Sequence, residues 1–176
     1  MKKTLYITSG APNAGKTTFV NQRIDALGGV HISRDEIRAR MLKPGDFYFK
    51  NESKVFNEFI NEIQKAIDRK WGPSDIYIDA THLNARSRSK VLNRLNKNNV
   101  DKIIVLWFDP PLGVLLERNK KEDGTEKVPE DAIKKMKDSM DIPSKNEFLA
   151  YKPEIWRIDE EGWIIDVYPQ KQIMCL

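Results

Sequence analysis

Short runs rich in Val, Ile, Tyr and Phe alternate along this chain with segments whose apolar residues recur every three to four positions. The first pattern predicts buried strands over 4–8, 30–33, 76–79 and 103–108, each followed by polar residues. The second predicts helices. Residues 16–27 have helical length and stop at Gly28-Gly29. Phe56, Phe59, Ile60, Ile63 and Ile67 mark one face of a long amphipathic helix over 53–70, a stripe read as core. Further helices are expected over 85–95, over 112–120 and after Val128, where Pro129 and Glu130-Asp131 suit a first turn. The rhythm changes at the end, where 154–158 and 163–168 read as two strands around the turn Asp159-Glu160-Glu161-Gly162. The alternation predicts a three-layer α/β fold: a mainly parallel central sheet, helices on both faces, and ligands gathered at the carboxyl edge of the strands.

Composition narrows this picture. With 176 residues, 40% of them hydrophobic, and no repeat or long linker, the expectation is one domain over 1–176. Lys+Arg 30 against Asp+Glu 26 gives a net charge of +4, which suits a polyanionic ligand and equally an ordinary charged surface. A lone cysteine, Cys175, excludes an intramolecular disulfide and carries no metal-site pattern. The N-terminus does not read as a signal peptide, and no apolar stretch is long enough to span a membrane, so a cytoplasmic protein without a membrane partner is expected.

The candidate chemistry begins directly after the first strand. Gly10-Ala11-Pro12-Asn13-Ala14-Gly15-Lys16-Thr17 is a full G-x-x-x-x-G-K-[ST] phosphate loop, followed by Thr18. Its glycines let the backbone curl so that successive N–H groups, backed by a helix N-terminus, point at phosphates. Lys16 would reach the β- and γ-phosphates of ATP, and Thr17 would offer its hydroxyl to Mg²⁺.

Two carboxylates stand at strand ends. Asp35 follows the second strand in Ser33-Arg34-Asp35-Glu36-Ile37-Arg38, and Asp79 closes the third. If a helix starts near Asp35, Arg38 shares its face, so one group would take a hydroxyl proton while the other holds an anionic part of the acceptor. The plainer reading is a helix-start aspartate paired with its own arginine. Asp79 would order the water around Mg²⁺ or orient Arg38; otherwise it caps the turn at Thr81-His82. His31 and His82 lack partners at metal-ligand spacing and read as structural. Trp71, Trp107, Trp156 and Trp163 are read as core, with base stacking as the alternative. Arg86, Arg88 and Lys90 form a basic helix start, which is a solvated face or a contact to a nucleic-acid backbone.

Taken in order, these residues resemble the kinase domain of phage-type 5′-polynucleotide kinases, within the small P-loop kinases. The likeness spans residues 1–140 and rests on Gly10 to Thr18, on Ser33 to Arg38, on Asp79-Ala80-Thr81-His82-Leu83-Asn84, and on Phe108-Asp109 with Leu116-Glu117-Arg118-Asn119 and Val128-Pro129. The resemblance implies that the loop holds ATP and Mg²⁺, that Asp35 activates a 5′-hydroxyl, and that Arg38 contacts the phosphate next to it. The acceptor would be the 5′ end of single-stranded DNA or RNA. It further implies a lid over about 118–128, opened by Arg118, above the ATP phosphates. Family members carry a second arginine four residues later, where this chain has Glu122; Lys120 or Lys121 would be an imperfect replacement. No Asp-x-Asp-x-Thr phosphatase motif accompanies the kinase pattern. Two other classes stay open: a small-molecule phosphotransferase of the toxin- or antibiotic-modifying kind, and a nucleotide-binding module that transfers nothing.

Overall fold

The strands β1 (Lys3–Ser9), β2 (Val30–Ser33), β3 (Asp75–Asp79), β4 (Val100–Phe108), β5 (Glu154–Ile158) and β6 (Ile164–Tyr168) form a sheet in the order β2-β3-β1-β4-β5-β6. All neighbours are parallel except β6, which runs antiparallel to β5. This computed structural model describes residues 2–123, 127–148 and 151–169. Cys175 and the lid residues Gly124, Thr125 and Glu126 lie outside the described residues.

The helices are α1 (Lys16–Leu27), α2 (Arg34–Met41), α3 (Glu52–Asp68), α4 (Ala85–Leu92), α5 (Leu112–Lys120) and α6 (Glu130–Asp138). Successive strand residues point to opposite faces, and the sequence exploits this. Leu5, Ile7, Ile76, Ile78, Ile103 and Val105 pack with Phe59, Ile63 and Ile67 of α3. Tyr6, Tyr77, Ile104, Leu106 and Phe108 pack on the other face with Phe19 and Val20 of α1, Leu115 of α5 and Ile133 of α6. Both faces of the sheet are therefore covered, which explains why its strands read as almost unbroken apolar runs. The fold is the mainly parallel, three-layer α/β arrangement that the alternation predicts.

Some expectations are revised. The helix expected over 85–95 stops at Leu92, with Asn93 as its C-cap. Trp71 and Trp163 are not core: they are 84% and 70% exposed, since Trp71 follows the end of α3 and Trp163 precedes β6. Trp107 is buried. Arg88 is no solvated cation, because it is fully buried between Glu147 (2.5 and 2.7 Å) and Asp141 (2.5 Å), where its charge is matched. Among the described residues no helix is long and apolar enough to cross a membrane.

Candidate active site

β1 is central, so its carboxyl end lies between those of β3 and β4, the edge where ligands bind in open parallel sheets. The chain leaves it through Gly10. A Cβ there would come within 2.9 Å of the Phe108 carbonyl oxygen and 3.0 Å of the Phe108 Cβ, so glycine is required by the close approach of β1 to β4. Asn13 (φ 64°) and Gly15 (φ 90°) then take left-handed conformations that curl the loop into α1. The amides of Lys16, Thr17 and Thr18 belong to the first turn of α1, where backbone N–H groups have no intrahelical partner. Ala11 and Ala14 are buried beneath the loop, while Pro12 is partly exposed and Thr17 and Thr18 stand open at its mouth.

Lys16 is buried and turns its ammonium onto the Ala11 carbonyl at 2.7 Å. Burial lowers its pKa, opposed by the nearby charges of Asp79 and Asp35. Thr17 donates its hydroxyl to Oδ2 of Asp79 at 2.7 Å, and Nε2 of His31 lies 3.1 Å from the same oxygen. The Thr8 hydroxyl donates to the Ala80 carbonyl at 2.7 Å and lies 3.1 Å from Oδ1 of Asp79. Burial pushes the Asp79 pKa up, but the hydrogen bond from His31, the charge of Lys16 and the hydrogen bond from Thr17 outweigh it, so this carboxyl stays ionised below its usual range. The same hydrogen bond to Asp79 raises the His31 pKa against the opposing effect of burial. His31, which the sequence reads as structural, is thus part of this constellation. The two histidines differ, for burial drives the His82 pKa down to about 4, and its neutral ring donates from Nδ1 to the Thr8 carbonyl at 2.9 Å.

The second cluster sits at α2. Ser33 caps the helix, accepting from the Glu36 amide at 3.3 Å, and α2 starts at Arg34, so Asp35 and Arg38 share one face as the spacing predicts. Nη1 of Arg38 donates to Oδ1 of Asp35 and to the Tyr48 hydroxyl (3.0 Å), and Tyr48 in turn donates to Oδ1 of Asp35 at 3.1 Å. Among the described residues Oδ2 of Asp35 has no hydrogen-bond partner, and the carboxylate is largely exposed. Arg38 itself is buried and clasped by Glu52, through Nε at 2.6 Å and Nη2 at 3.2 Å, while Arg34 reaches the same carboxylate at 2.7 Å. Burial opposes the Arg38 charge, but Glu52, Asp35 and Tyr48 more than offset it and raise its pKa. Asp79 does not orient Arg38; Glu52 does. Glu52 and Tyr48 escape a reading by local spacing because they come from beyond the α2 helix, 14 and 10 residues after Arg38.

At the lid position Arg118 donates from Nη1 to the Asn13 carbonyl at 3.1 Å and from Nη2 to the Glu160 carbonyl. Its neighbour Asn119 is buried, accepting from Nδ2 of Asn13 (3.1 Å) and the Val128 amide (3.0 Å) and donating to the Val128 carbonyl (2.7 Å). The two ends of the lid segment are thereby tied to each other and to the phosphate loop. Lys137 of α6 pairs with Asp109 at the end of β4.

These features fit a nucleoside triphosphate. The close Gly10 approach, the two left-handed residues, a buried lysine and an open helix N-terminus together bring a cation and unpaired backbone N–H groups to one curled loop. Among the described residues no group of three or more His, Cys, Asp or Glu side chains gathers for a metal ion. The Thr17 hydroxyl beside the ionised Asp79 suits Mg²⁺, which keeps several waters and takes few protein ligands.

A family model described as an AAA domain matches residues 5–143. Among solved structures, the chain is similar to one in the Pnkp1/Rnl/Hen1 RNA repair complex, with 26% identity and a TM-score of 0.63 over 78% of this chain and 44% of that one. It thus spans less than half the length of that repair-complex chain. A sugar kinase from Janibacter sp. HTCC2649 is 16% identical with a TM-score of 0.59, covering 93% of this chain and 88% of its own. A fungal RNA kinase is 15% identical with a TM-score of 0.60, over 90% of this chain and 38% of its own. At those identities the last two establish the shared fold.

Proposed function

This chain belongs to the AAA domain family, and on that premise we propose that it transfers the γ-phosphate of ATP to the 5′-hydroxyl end of a single-stranded polynucleotide. The observation that carries the reading is the Asp35–Arg38 pair: an exposed carboxylate and a braced guanidinium one helical turn apart. An acceptor with a hydroxyl and a neighbouring phosphodiester matches both groups at once, whereas a neutral polyol matches only the first. The 26% identity to a chain of an RNA repair complex supports the same acceptor class.

In this reading the phosphate loop, Lys16 and Arg118 hold the triphosphate, while Thr17 would ligate the metal and Asp79, which accepts the Thr17 hydroxyl, would order its water shell. Bound Mg²⁺ would offset phosphate charge. Oδ1 of Asp35 is fixed by Arg38 and Tyr48, which leaves Oδ2 to take the proton of the attacking hydroxyl. The new bond joins the acceptor oxygen to the γ-phosphorus as the bond to the bridging oxygen of ADP breaks. Arg38 holds the acceptor phosphate, its orientation set by Glu52.

The test is transfer of ³²P from γ-labelled ATP to DNA and RNA oligonucleotides with a 5′-hydroxyl, with 5′-phosphorylated oligonucleotides and Lys16→Ala as controls. Label confined to 5′-hydroxyl ends and dependent on Lys16 is the expected result. Label entering only a small polyol would overturn it.

A further inference from the structure

The turn between α2 and α3 presents three aromatic residues in a row, Phe47, Tyr48 and Phe49, of which the outer two keep most of their surface in water. Tyr48 is tied through its hydroxyl to Asp35 and Arg38, and its ring lies 4.6 Å from the Arg38 guanidinium carbon. Phe49 stands edge-on to Tyr48, with ring centroids 4.9 Å apart and planes at 86°, and 5.6 Å from the same guanidinium carbon. Yet Phe49 is 60% exposed and Phe47, in the same turn, 69%. Phe49 thus stands against the Arg38 end of the Asp35–Arg38 pair with most of its surface open to water, and Phe47 adds a second exposed ring two residues earlier in the same turn. The turn itself carries an exposed Lys43 and an Asp46–Lys50 ion pair at 2.6 Å, so its charges are mixed and the exposed rings are its open feature.

We infer that Phe49, with Phe47, is the surface on which the 5′-terminal base of the acceptor stacks. The inference rests on the polynucleotide reading above and deepens it. The arrangement joins three parts of one nucleotide: the hydroxyl at Asp35, the adjoining phosphate at Arg38, and the base on the rings next to that arginine. Tyr48 is the anchor, because its hydroxyl holds the turn against the Asp35–Arg38 pair and so fixes where the flanking rings stand. Phenylalanine offers no hydrogen-bonding edge, so such a platform accepts any base and confers grip without sequence readout. An exposed aromatic face favours a stacked base over a neutral sugar, whose many hydroxyls call for polar partners.

The experiment compares wild type, Phe49→Ala, Phe47→Ala/Phe49→Ala and Phe49→Trp on two oligonucleotides, one ordinary and one whose 5′-terminal nucleotide lacks its base. Wild type should show a KM about tenfold or more higher for the abasic end, the scale of one lost base–aromatic stack. The double variant should raise KM for the ordinary oligonucleotide by about tenfold or more while KM for ATP stays put. The two losses should not multiply, since each removes one side of the same contact, and Phe49→Trp should restore binding. Equal KM for both oligonucleotides, with the alanine variants matching wild type, would overturn the stacking inference and leave the polynucleotide reading intact. Failure of wild type to label any polynucleotide would overturn that reading and this inference with it.

Discussion

The Thr17 hydroxyl and Oδ2 of Asp79 are 2.7 Å apart, so the first turn of α1 is stapled to the end of β3 at the mouth of the phosphate loop. This places an ionised carboxylate behind a hydroxyl that would meet Mg²⁺. Replacing Asp79 by Asn keeps the shape and removes the charge. The variant should need about 10- to 100-fold more Mg²⁺ for half-maximal turnover, the usual effect of losing a group that orients a metal ligand. A Mg²⁺ titration at saturating ATP measures it, and an unchanged midpoint would exclude Asp79 from the metal site.

For Asp35, proton acceptance and structural pairing make different predictions. As the base, Asp35→Asn should keep ATP affinity and lose about 100-fold or more in turnover. Single-turnover transfer and ATP binding, measured on the same preparation, separate the two. A variant that is less stable but turns over normally would reduce Asp35 to the partner of Arg38.

Glu52 supplies both of its oxygens to Arg38. If Arg38 holds the acceptor phosphate, Glu52→Gln should raise the acceptor KM by roughly tenfold through loss of a charge-assisted clasp, with KM for ATP unchanged. Arg38→Lys should not recover the loss, because an ammonium lacks the planar fork that engages Glu52 and a phosphate together. Steady-state kinetics with each substrate varied in turn decides it.

The fold was legible because its determinants are local. Strand runs such as Ile103 to Phe108 are buried on both faces, and the stripe from Phe56 to Ile67 has one period throughout. The phosphate loop was legible for the same reason: Gly10, Gly15, Lys16 and Thr17 act within eight consecutive residues. What escaped was assembled across the sheet edge. His31 meets Asp79 from a strand 48 residues away, and Glu52 and Tyr48 reach Arg38 from outside its helix. Arg88 misled in the opposite sense, since nothing in its basic neighbourhood signals that Asp141 and Glu147 will enclose it.

The His31–Asp79 contact makes stability depend on pH. Because its pKa is raised in the folded state, His31 binds its proton more tightly there than in the unfolded chain. Its contribution is complete below the unfolded value near 6.5 and disappears as pH climbs through the raised folded value. His31→Asn should therefore cost more stability at pH 5.5 than at pH 9. Urea unfolding of both proteins at the two pH values tests the sign. A gap that widens with rising pH would contradict it.

Arg88 offers a test of structural against nucleic-acid roles on one side chain. Besides its two carboxylates, it donates from Nη1 to the Ser9 hydroxyl and the His82 carbonyl, both at 3.0 Å, immediately before Gly10 begins the phosphate loop. Arg88→Met keeps most of the volume but leaves the buried Glu147 carboxylate without its counter-charge. Breaking one side of such a pair costs about 3–5 kcal/mol, far more than an exposed arginine is worth. The expected outcome is a large fall in the urea midpoint. Below the transition, ATP and acceptor KM should move together, because the loss acts through the loop and not through either ligand. A contact to the nucleic-acid backbone would do the reverse: stability would hold, acceptor KM alone would rise, and the salt dependence of acceptor binding would flatten. All five N–H donors of the Arg88 guanidinium are taken up inside the protein, by Glu147, Asp141, the Ser9 hydroxyl and the His82 carbonyl, which leaves none for a phosphate and favours the first outcome; Arg38, by contrast, commits four of its five among the described residues.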